Sequence, residues 1–165
     1  MRRILGMVLL IICFAASAQL RNISSDVLNP LDKKIRPFMA IDSHYGFVLG
    51  RDVVALGDGE KHPMVYFVQD KLNMTKRLMD IYSFEPESDY DWLLEDNAQE
   101  NDVFFARSRF VLDKARTKWL LMVDGTYVVF QNAATKAYIT VNKDGEIFLV
   151  ENFQDASRWK LVHVL

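Results

Sequence analysis

Short apolar runs, bounded by Gly, Pro, Asn, Asp or Ser, follow one another along the chain from residue 38 onwards. Runs of this length are typical of strands, whose side chains alternate between the two faces of a sheet. A loosely helical spacing of Val68, Leu72, Met79 and Tyr82 leaves a helix over residues 68–82 open. The pattern otherwise predicts thirteen strands: Phe38–Ile41, Gly46–Leu49, Val53–Leu56, Met64–Val68, Leu78–Phe84, Tyr90–Leu94, Val103–Ala106, Arg109–Leu112, Trp119–Val123, Tyr127–Gln131, Ala137–Val141, Glu146–Val150 and Trp159–Val164.

Three segments share one design, in which an apolar run, a turn and a second apolar run predict a hairpin. They are FVLGRDVVAL at 47–56, VFFARSRFVL at 103–112 and YITVNKDGEIFL at 138–149. Each follows one predicted strand and precedes another, which begins near Met64, Trp119 or Trp159. Three copies of a four-stranded unit predict an all-β fold, a β-trefoil with a pseudo-threefold repeat. Because a trefoil has twelve strands, one of the two runs between 64 and 84 is expected to be misassigned or inserted.

The last copy, YVVFQNAATKAYITVNKDGEIFLVENFQDASRWKLVHV at 127–164, resembles a repeat of the fascin-like and ricin-B-like trefoils. Those repeats run from an apolar strand through a Lys-x-Tyr-Ile/Leu-Thr strand and a Gly turn to a terminal x-Trp-x-Leu. The second copy resembles them less and the first least. This chain has Thr117-Lys118-Trp119 and Ser157-Arg158-Trp159 where ricin-B-like repeats carry Gln-x-Trp, so that family's sugar sites are not transferred.

The alternative fold is a lipocalin-like up-and-down barrel, which also suits a secreted chain of this size. It predicts Gly-x-Trp near the first strand and no threefold repeat, and neither expectation matches the sequence. The trefoil also predicts that Trp92, Trp119 and Trp159 occupy corresponding positions in the repeats, with Trp119 and Trp159 buried in the core.

The first eighteen residues have the order of a signal peptide: Arg2 and Arg3, an apolar run over 4–16, and Ala16-Ser17-Ala18. The apolar run is shorter than the roughly 20 residues that a membrane-spanning helix needs. We therefore expect a signal peptide at 1–18, an N-terminal arm at 19–36, the trefoil domain at 37–165, and a secreted, extracellular product. No membrane span is expected after cleavage.

Cleavage after residue 18 also changes the composition. It removes Cys13, the one cysteine of the chain, so the core alone must hold the product together. It removes two arginines and no acid, which leaves 18 Lys+Arg against 22 Asp+Glu. This mild acidity argues against nucleic acid as a partner. Asn22 and Asn73 begin Asn-x-Ser/Thr triplets and are the candidate glycosylation sites.

No catalytic constellation is visible, and we expect a protein that is not an enzyme and needs no cofactor. His44, His62 and His163 lack partners at zinc-ligand spacing, and no Ser lies in a Gly-x-Ser-x-Gly motif. No metal site is predicted. A calcium site formed by Asp89, Asp91 and Asp96 is the weaker interpretation of an acidic run, because the run lacks EF-hand spacing. That run holds nine acids between 78 and 106: Asp80, Glu85, Glu87, Asp89, Asp91, Glu95, Asp96, Glu100 and Asp102.

Five cations follow the acidic run and form a candidate polyanion site: Arg107, Arg109, Lys114, Arg116 and Lys118. On an extended segment the last three would share one face. A single candidate sugar site combines Asp124, Asn132 and Tyr138. The predicted function is a secreted, non-catalytic recognition module whose partner is a glycan or an extracellular protein. The alternative is an extracellular signalling ligand or inhibitor, like the growth-factor and protease-inhibitor trefoils.

Overall fold

The computed structural model describes residues 37–56, 62–69, 78–84, 92–97, 99–111 and 113–163. All belong to the second of two units into which the chain divides, Lys34–Leu165. Within this part of the chain no helix is long and apolar enough to cross a membrane. Its twelve strands are β1 Phe38–Asp42, β2 Phe47–Val48, β3 Val54–Ala55, β4 Met64–Gln69, β5 Leu78–Phe84, β6 Trp92–Asn97, β7 Asp102–Arg107, β8 Trp119–Asp124, β9 Tyr127–Asn132, β10 Tyr138–Val141, β11 Ile147–Val150 and β12 Trp159–His163.

The strand pairings close on themselves, so the all-β prediction is confirmed and the sheet forms a barrel. Antiparallel pairs run from β1 to β4, β5, β8, β9, β12 and back to β1. A longer closed path of nine strands leaves β5 through β6, β7, β11 and β10 and returns at β9. A strand inside a closed ring has neighbours on both sides, which removes exposed edges.

Three hairpins leave this ring: β2–β3, β6–β7 and β10–β11. The hairpins predicted at 47–56 and 138–149 are confirmed, but the one predicted at 103–112 is wrong. The observed hairpin pairs Trp92 with Arg107, and its turn contains Asn101 at φ 55°. Asn is one of the few residues that adopt this left-handed conformation at low cost. Residues 103–112 have the same spacing of apolar residues as the other two segments, but this spacing does not specify where the chain reverses.

Two further sequence predictions are corrected by the strand bounds. The strand predicted at Arg109–Leu112 is wrong, because Ser108–Phe110 forms a single 3-10 turn. This run is therefore the extra one among the thirteen predicted strands. Both runs between 64 and 84 are strands. The helix over 68–82 is also wrong, since Val68 lies in β4, and Met79 and Tyr82 lie in β5. Six cross-strand pairs join β4 to β5 and satisfy the backbone that a helix would have satisfied internally.

The hydrophobic core collects buried side chains from every strand of the six-stranded ring. Trp119, Trp159 and Phe130 are fully buried, as predicted for the two tryptophans. Trp119 and Trp159 begin β8 and β12, two strands of the ring. Trp92 begins the hairpin strand β6 instead and is half-buried, so its predicted equivalence to the other two is wrong.

The same kind of turn, held by a side-chain oxygen, follows β1 and β9. The carboxylate of Asp42 accepts hydrogen bonds from the backbone N–H groups of His44 and Tyr45. The side-chain oxygen of Asn132 accepts from Ala134 and Thr135 in the same way. Such Asx turns let a buried polar side chain satisfy the backbone of a tight turn. Both strands therefore end through the same chemistry.

Replacing Asn132 with alanine is expected to lower the free energy of unfolding by about 1–2 kcal/mol. Asn132 is fully buried, and its amide also donates to the carbonyl of Arg116 at 2.8 Å. Urea unfolding followed by fluorescence measures the change. Asn152→Ala is the matched control, because Asn152 is exposed and its side-chain amide donates to the carboxylate of the nearby Asp155. Equal losses for the two variants would contradict the role given to Asn132.

Candidate functional site

An open cleft lies where the three hairpins meet, and its volume is about 770 Å³. The turn after β2 contributes Gly50 and Arg51, the β6–β7 hairpin contributes residues 100–105, and the β10–β11 turn contributes Asn142 and Glu146. Phe148 in β11 pairs with Asp102 in β7, which holds two of the hairpins together. The backbone N–H of Leu149 also donates to the carbonyl of Asn101. A cleft assembled from three separate hairpins exists only in the folded chain.

Three carboxylates line the cleft, and each is held by one short local hydrogen bond. Glu146 accepts from the amide of Asn142 at 2.7 Å. Glu100 accepts from the amide of Asn97 at 3.0 Å, and Asp102 accepts from the N–H of Val103 at 2.7 Å. A carboxylate has two oxygens with about four acceptor positions, so these anchors orient each group and leave acceptor capacity for a ligand.

Asn142 organises its turn. Its side-chain oxygen accepts from the backbone N–H groups of Asp144 and Glu146, at 2.9 and 3.0 Å, while its amide holds the Glu146 carboxylate. Gly145 follows at φ 84°, a conformation that favours glycine. The turn signal Asn-Lys-Asp-Gly, noted from the sequence, therefore fixes one polar wall of the cleft.

Apolar groups complete the lining. Phe104 is 41 % exposed and lines the cleft, as do Phe105 and Leu94, which are buried. Phe104 and Phe105 are neighbours on β7, and successive side chains of a strand face opposite ways. The strand thus places one aromatic ring in the core and the other at the surface.

A stacked arginine from another hairpin also lines the cleft. The guanidinium carbon of Arg51 lies 4.2 Å from the ring centroid of Trp92, and that of Arg107 lies 5.3 Å from the same ring. Cation–π contacts of this kind stabilise by about 0.5–1 kcal/mol at exposed positions. The cleft therefore combines carboxylate and amide acceptors, a guanidinium donor and an aromatic face, which are the groups that bind hydroxylated, partly apolar molecules such as sugars.

No protein-family model matches this sequence, and no curated protein matches it. Solved structures do match. SeviL bound to asialo-GM1 saccharide has a TM-score of 0.59 at 13% identity and covers 80% of this chain and 100% of its own. A GlcNAcα1-4Gal-releasing endo-β-galactosidase from Clostridium perfringens has a TM-score of 0.57 at 14% identity and covers 79% of this chain. The match covers 33% of that enzyme, so this chain spans about a third of its length. These likenesses show a shared all-β fold.

The structure gives the basic residues a different arrangement from the predicted one. Lys114–Thr117 is a 3-10 helix, so the extended segment with three cations on one face is wrong. The Nζ of Lys118 lies 2.6 Å from a carboxylate oxygen of Asp80, and Arg116 forms an ion pair with Asp113 at 3.5 Å. Acidic side chains of the chain itself therefore pair with Lys118 and Arg116.

Arg107 and Arg109 contact aromatic rings. Arg107 stacks over Trp92, and the guanidinium carbon of Arg109 lies 4.7 Å from the ring centroid of Phe110. Lys114 is exposed at the start of the 3-10 helix. Nearby, burial raises the pKa of Glu95, while the charge of Arg116 lowers it and Asp113 and Asp96 raise it further. The predicted strip is thus a mixed surface of acids and bases.

Of the predicted sugar site, the structure brings Tyr138 close to Asn132, since Tyr138 pairs with Gln131, but it does not bring Asp124 to them. Asp124 pairs with Tyr127 at one end of the β8–β9 hairpin, whereas Asn132 pairs with Trp119 at the other. Asp124 and Asn132 therefore lie five positions apart along the strands, which corresponds to roughly 17 Å. Asp124 binds the guanidinium of Arg158 at 3.0 Å, and Asn132 uses its side chain in the turn described above.

Tyr138, the third of these residues, begins β10, where it packs edge-on against Phe153. Asp96, a member of the weaker calcium interpretation, is fully buried with one oxygen bonded to the hydroxyl of Thr135. Asp89 and Asp91 lie outside the described residues, as do Asn22, Asn73, the proposed signal peptide and the arm. In the described part of the chain no three His, Cys, Asp or Glu side chains are grouped to hold a metal ion.

Sequence reasoning did not find the cleft, although it named some of its parts. Glu100 and Asp102 were read only as members of an acidic run, and residues 142–145 only as a turn. Arg51 and Phe104 stood out only as members of two of the three repeated segments. The one usable clue was that three hairpins of a repeated unit place their turns at the same end of a barrel.

Proposed function

We propose that this chain is a secreted, non-catalytic recognition module that binds carbohydrate in the cleft between its three hairpins. The observation that carries the proposal is the lining of the cleft, in which residues that carry carboxylates, an amide and a guanidinium, together with the exposed Phe104, line one volume of about 770 Å³. Sugars present hydroxyl groups that both donate and accept, together with apolar C–H faces, and this lining offers partners for both.

We further propose that the fold is a β-trefoil. The ring of six strands with three hairpins supports this assignment, because each hairpin connects two strands of the ring. The matching Asx turns at Asp42 and Asn132 are consistent with a repeated unit. The likeness to SeviL bound to asialo-GM1 saccharide supports a carbohydrate role for a chain of this fold.

Secretion is proposed from the first eighteen residues, and glycosylation at Asn22 and Asn73 from the two triplets. The proposal also holds that the chain performs no catalysis. Incubation with the oligosaccharides that it captures should leave them intact, as judged by mass spectrometry, and the appearance of shortened products would contradict this part of the proposal.

The proposed binding is tested by applying the secreted protein to a glycan array and by measuring the captured sugars with titration calorimetry. Phe104→Ala is expected to weaken binding roughly three- to tenfold, because it removes the aromatic face of the cleft. Phe110→Ala is the matched control, since Phe110 is 61 % exposed and does not line the cleft. A folded protein that captures no glycan, or equal affinities for the two variants, would refute carbohydrate binding in the cleft.

A protein partner is the second candidate, favoured by a patch on the β2–β3 side. Tyr45 is 45% exposed and Leu56 is 50% exposed. The N–H of Leu56 donates to the carbonyl of Gly46, which places Leu56 beside the residue that follows Tyr45. Exposed aromatic and aliphatic side chains are enriched in protein interfaces. An empty glycan array together with loss of a purified extracellular partner by Tyr45→Ala would favour this candidate.

A further inference from the structure

The charges along the cleft differ between its sides. Among the described residues that line it, three are acidic and one is basic: Glu100, Asp102, Glu146 and Arg51. The acids come from two hairpins that are joined where Phe148 pairs with Asp102. Arg51 comes from the third hairpin, in the turn that connects β2 to β3. A ligand in the cleft therefore meets an acceptor-rich wall and one guanidinium from another hairpin.

Packing fixes the position of the guanidinium. Arg51 stacks on Trp92, and Trp92 is held from the neighbouring strand because it pairs with Arg107, whose guanidinium contacts the same ring. The backbone just before Arg51 is also confined, since an added Cβ at Gly50 would lie 2.1 Å from the Cβ of Pro63. Restricting a long side chain in advance reduces the entropy lost when it binds.

The acidic wall disfavours a ligand that carries its own negative charge. Like charges within several ångströms repel, and the repulsion is strongest in a cleft partly shielded from water. An uncharged sugar avoids this cost, because its hydroxyl groups donate to carboxylates on one side and accept from a guanidinium on the other.

From this arrangement we propose that the cleft selects neutral oligosaccharides over sialylated or sulfated ones. In this proposal Arg51 donates hydrogen bonds to the sugar, and Trp92 is a positioning residue that holds Arg51. The inference rests on the proposed function, and it goes beyond it by naming the ligand class and the two residues responsible. It also assigns the cleft a preference opposite to the polyanion binding suggested by the basic residues of the sequence.

The test compares each neutral glycan on the array with its sialylated and its sulfated counterpart, for example lactose with 3′-sialyllactose. The neutral member is expected to bind at least tenfold more tightly at low salt. The ratio should shrink as salt rises, because screening shortens the reach of charge to about 8 Å at physiological ionic strength. Glu146→Gln should reduce the ratio several-fold, since it removes a charge and keeps an acceptor for Asn142.

The role of Trp92 in positioning Arg51 is tested by measuring the affinity for the same neutral glycan. Arg51→Ala and Trp92→Leu are each expected to weaken its binding about tenfold, and Trp92→Phe should restore most of the loss because it keeps an aromatic face for the guanidinium. Phe110→Ala is again the control. Melting temperatures are measured in parallel, and Arg51→Ala, at an exposed residue, separates the effect on binding from any effect of Trp92 on folding.

Each outcome of these experiments decides something. Tighter binding of the sialylated or sulfated member overturns the inference and leaves carbohydrate binding in place. Binding of neutral glycan that is unchanged in Arg51→Ala, or lost equally in Trp92→Phe and Trp92→Leu, overturns the roles of these two residues. Capture of no glycan by the folded wild-type protein removes the proposed function, and the inference fails with it.

Discussion

Trp119→Ala is expected to lower the free energy of unfolding by about 3–5 kcal/mol, the usual cost of removing a large buried aromatic side chain. Trp119 is fully buried in the core of the barrel, where its indole N–H donates to the carbonyl of Leu94 at 3.1 Å. The substitution leaves a cavity and also leaves that carbonyl without its partner. Equilibrium unfolding in urea gives the loss as the change in midpoint multiplied by the slope.

Two controls separate the contributions of Trp119. Trp119→Phe keeps much of the apolar volume and removes the hydrogen bond, so its loss should be smaller than that of the alanine variant. Phe110→Ala removes an aromatic ring that is 61 % exposed and should change stability by less than about 0.5 kcal/mol. A Trp119→Ala protein as stable as the wild type would show that the core is assembled differently.

Gly50→Ala is also expected to have a large effect. It should lower the free energy of unfolding by about 3 kcal/mol, which is at the upper end of the usual cost of overpacking. A Cβ at this position would lie 2.1 Å from the Cβ and 2.9 Å from the Cγ of Pro63. Neither atom belongs to the end of a flexible side chain, so the backbone of one segment must move. Because Gly50 lines the cleft, glycan affinity should fall together with the melting temperature.

Gly125→Ala provides the contrast. Gly125 has φ 64° and nothing within 4 Å of an added Cβ, so its substitution costs only conformational strain, about 1 kcal/mol. Thermal unfolding and calorimetry on both variants check the difference. If Gly125→Ala proved the more damaging, the contact between Gly50 and Pro63 would not be the constraint inferred here.

Much of the fold was predictable from local pattern. Short apolar runs bounded by turn residues located eleven of the twelve strands closely, because strands are short and turn residues mark their ends. The β10–β11 turn was predictable from Asn-Lys-Asp-Gly, since few residues adopt the backbone angles that such a turn requires. The burial of Trp119 and Trp159 followed from their place at the start of ring strands.

The errors came from segments whose local pattern suits more than one structure. Residues 103–112 have the apolar, basic, apolar order of a hairpin, yet the chain forms one long strand to Arg107 and then a 3-10 turn. The partner strand decides which structure these residues adopt, because β6 pairs with β7 at six positions. No local signal in 103–112 identifies β6 as the partner. The basic residues at 114–118 were misjudged for the same reason, because the backbone there is a turn of 3-10 helix.

The sequence by itself determined an all-β chain with most strands at the right places and two tryptophans in the core. These properties depend on side-chain period, composition and size, which are local. Only the tertiary structure decided which polar groups share a surface. It separated Asp124 from Asn132 and placed Asp80 against Lys118. It also brought Arg51 to the cleft that Glu146 lines, although 95 positions separate them in the chain. Proximity across such distances arises from strand pairing around a closed barrel, and no residue pattern along the chain encodes it directly.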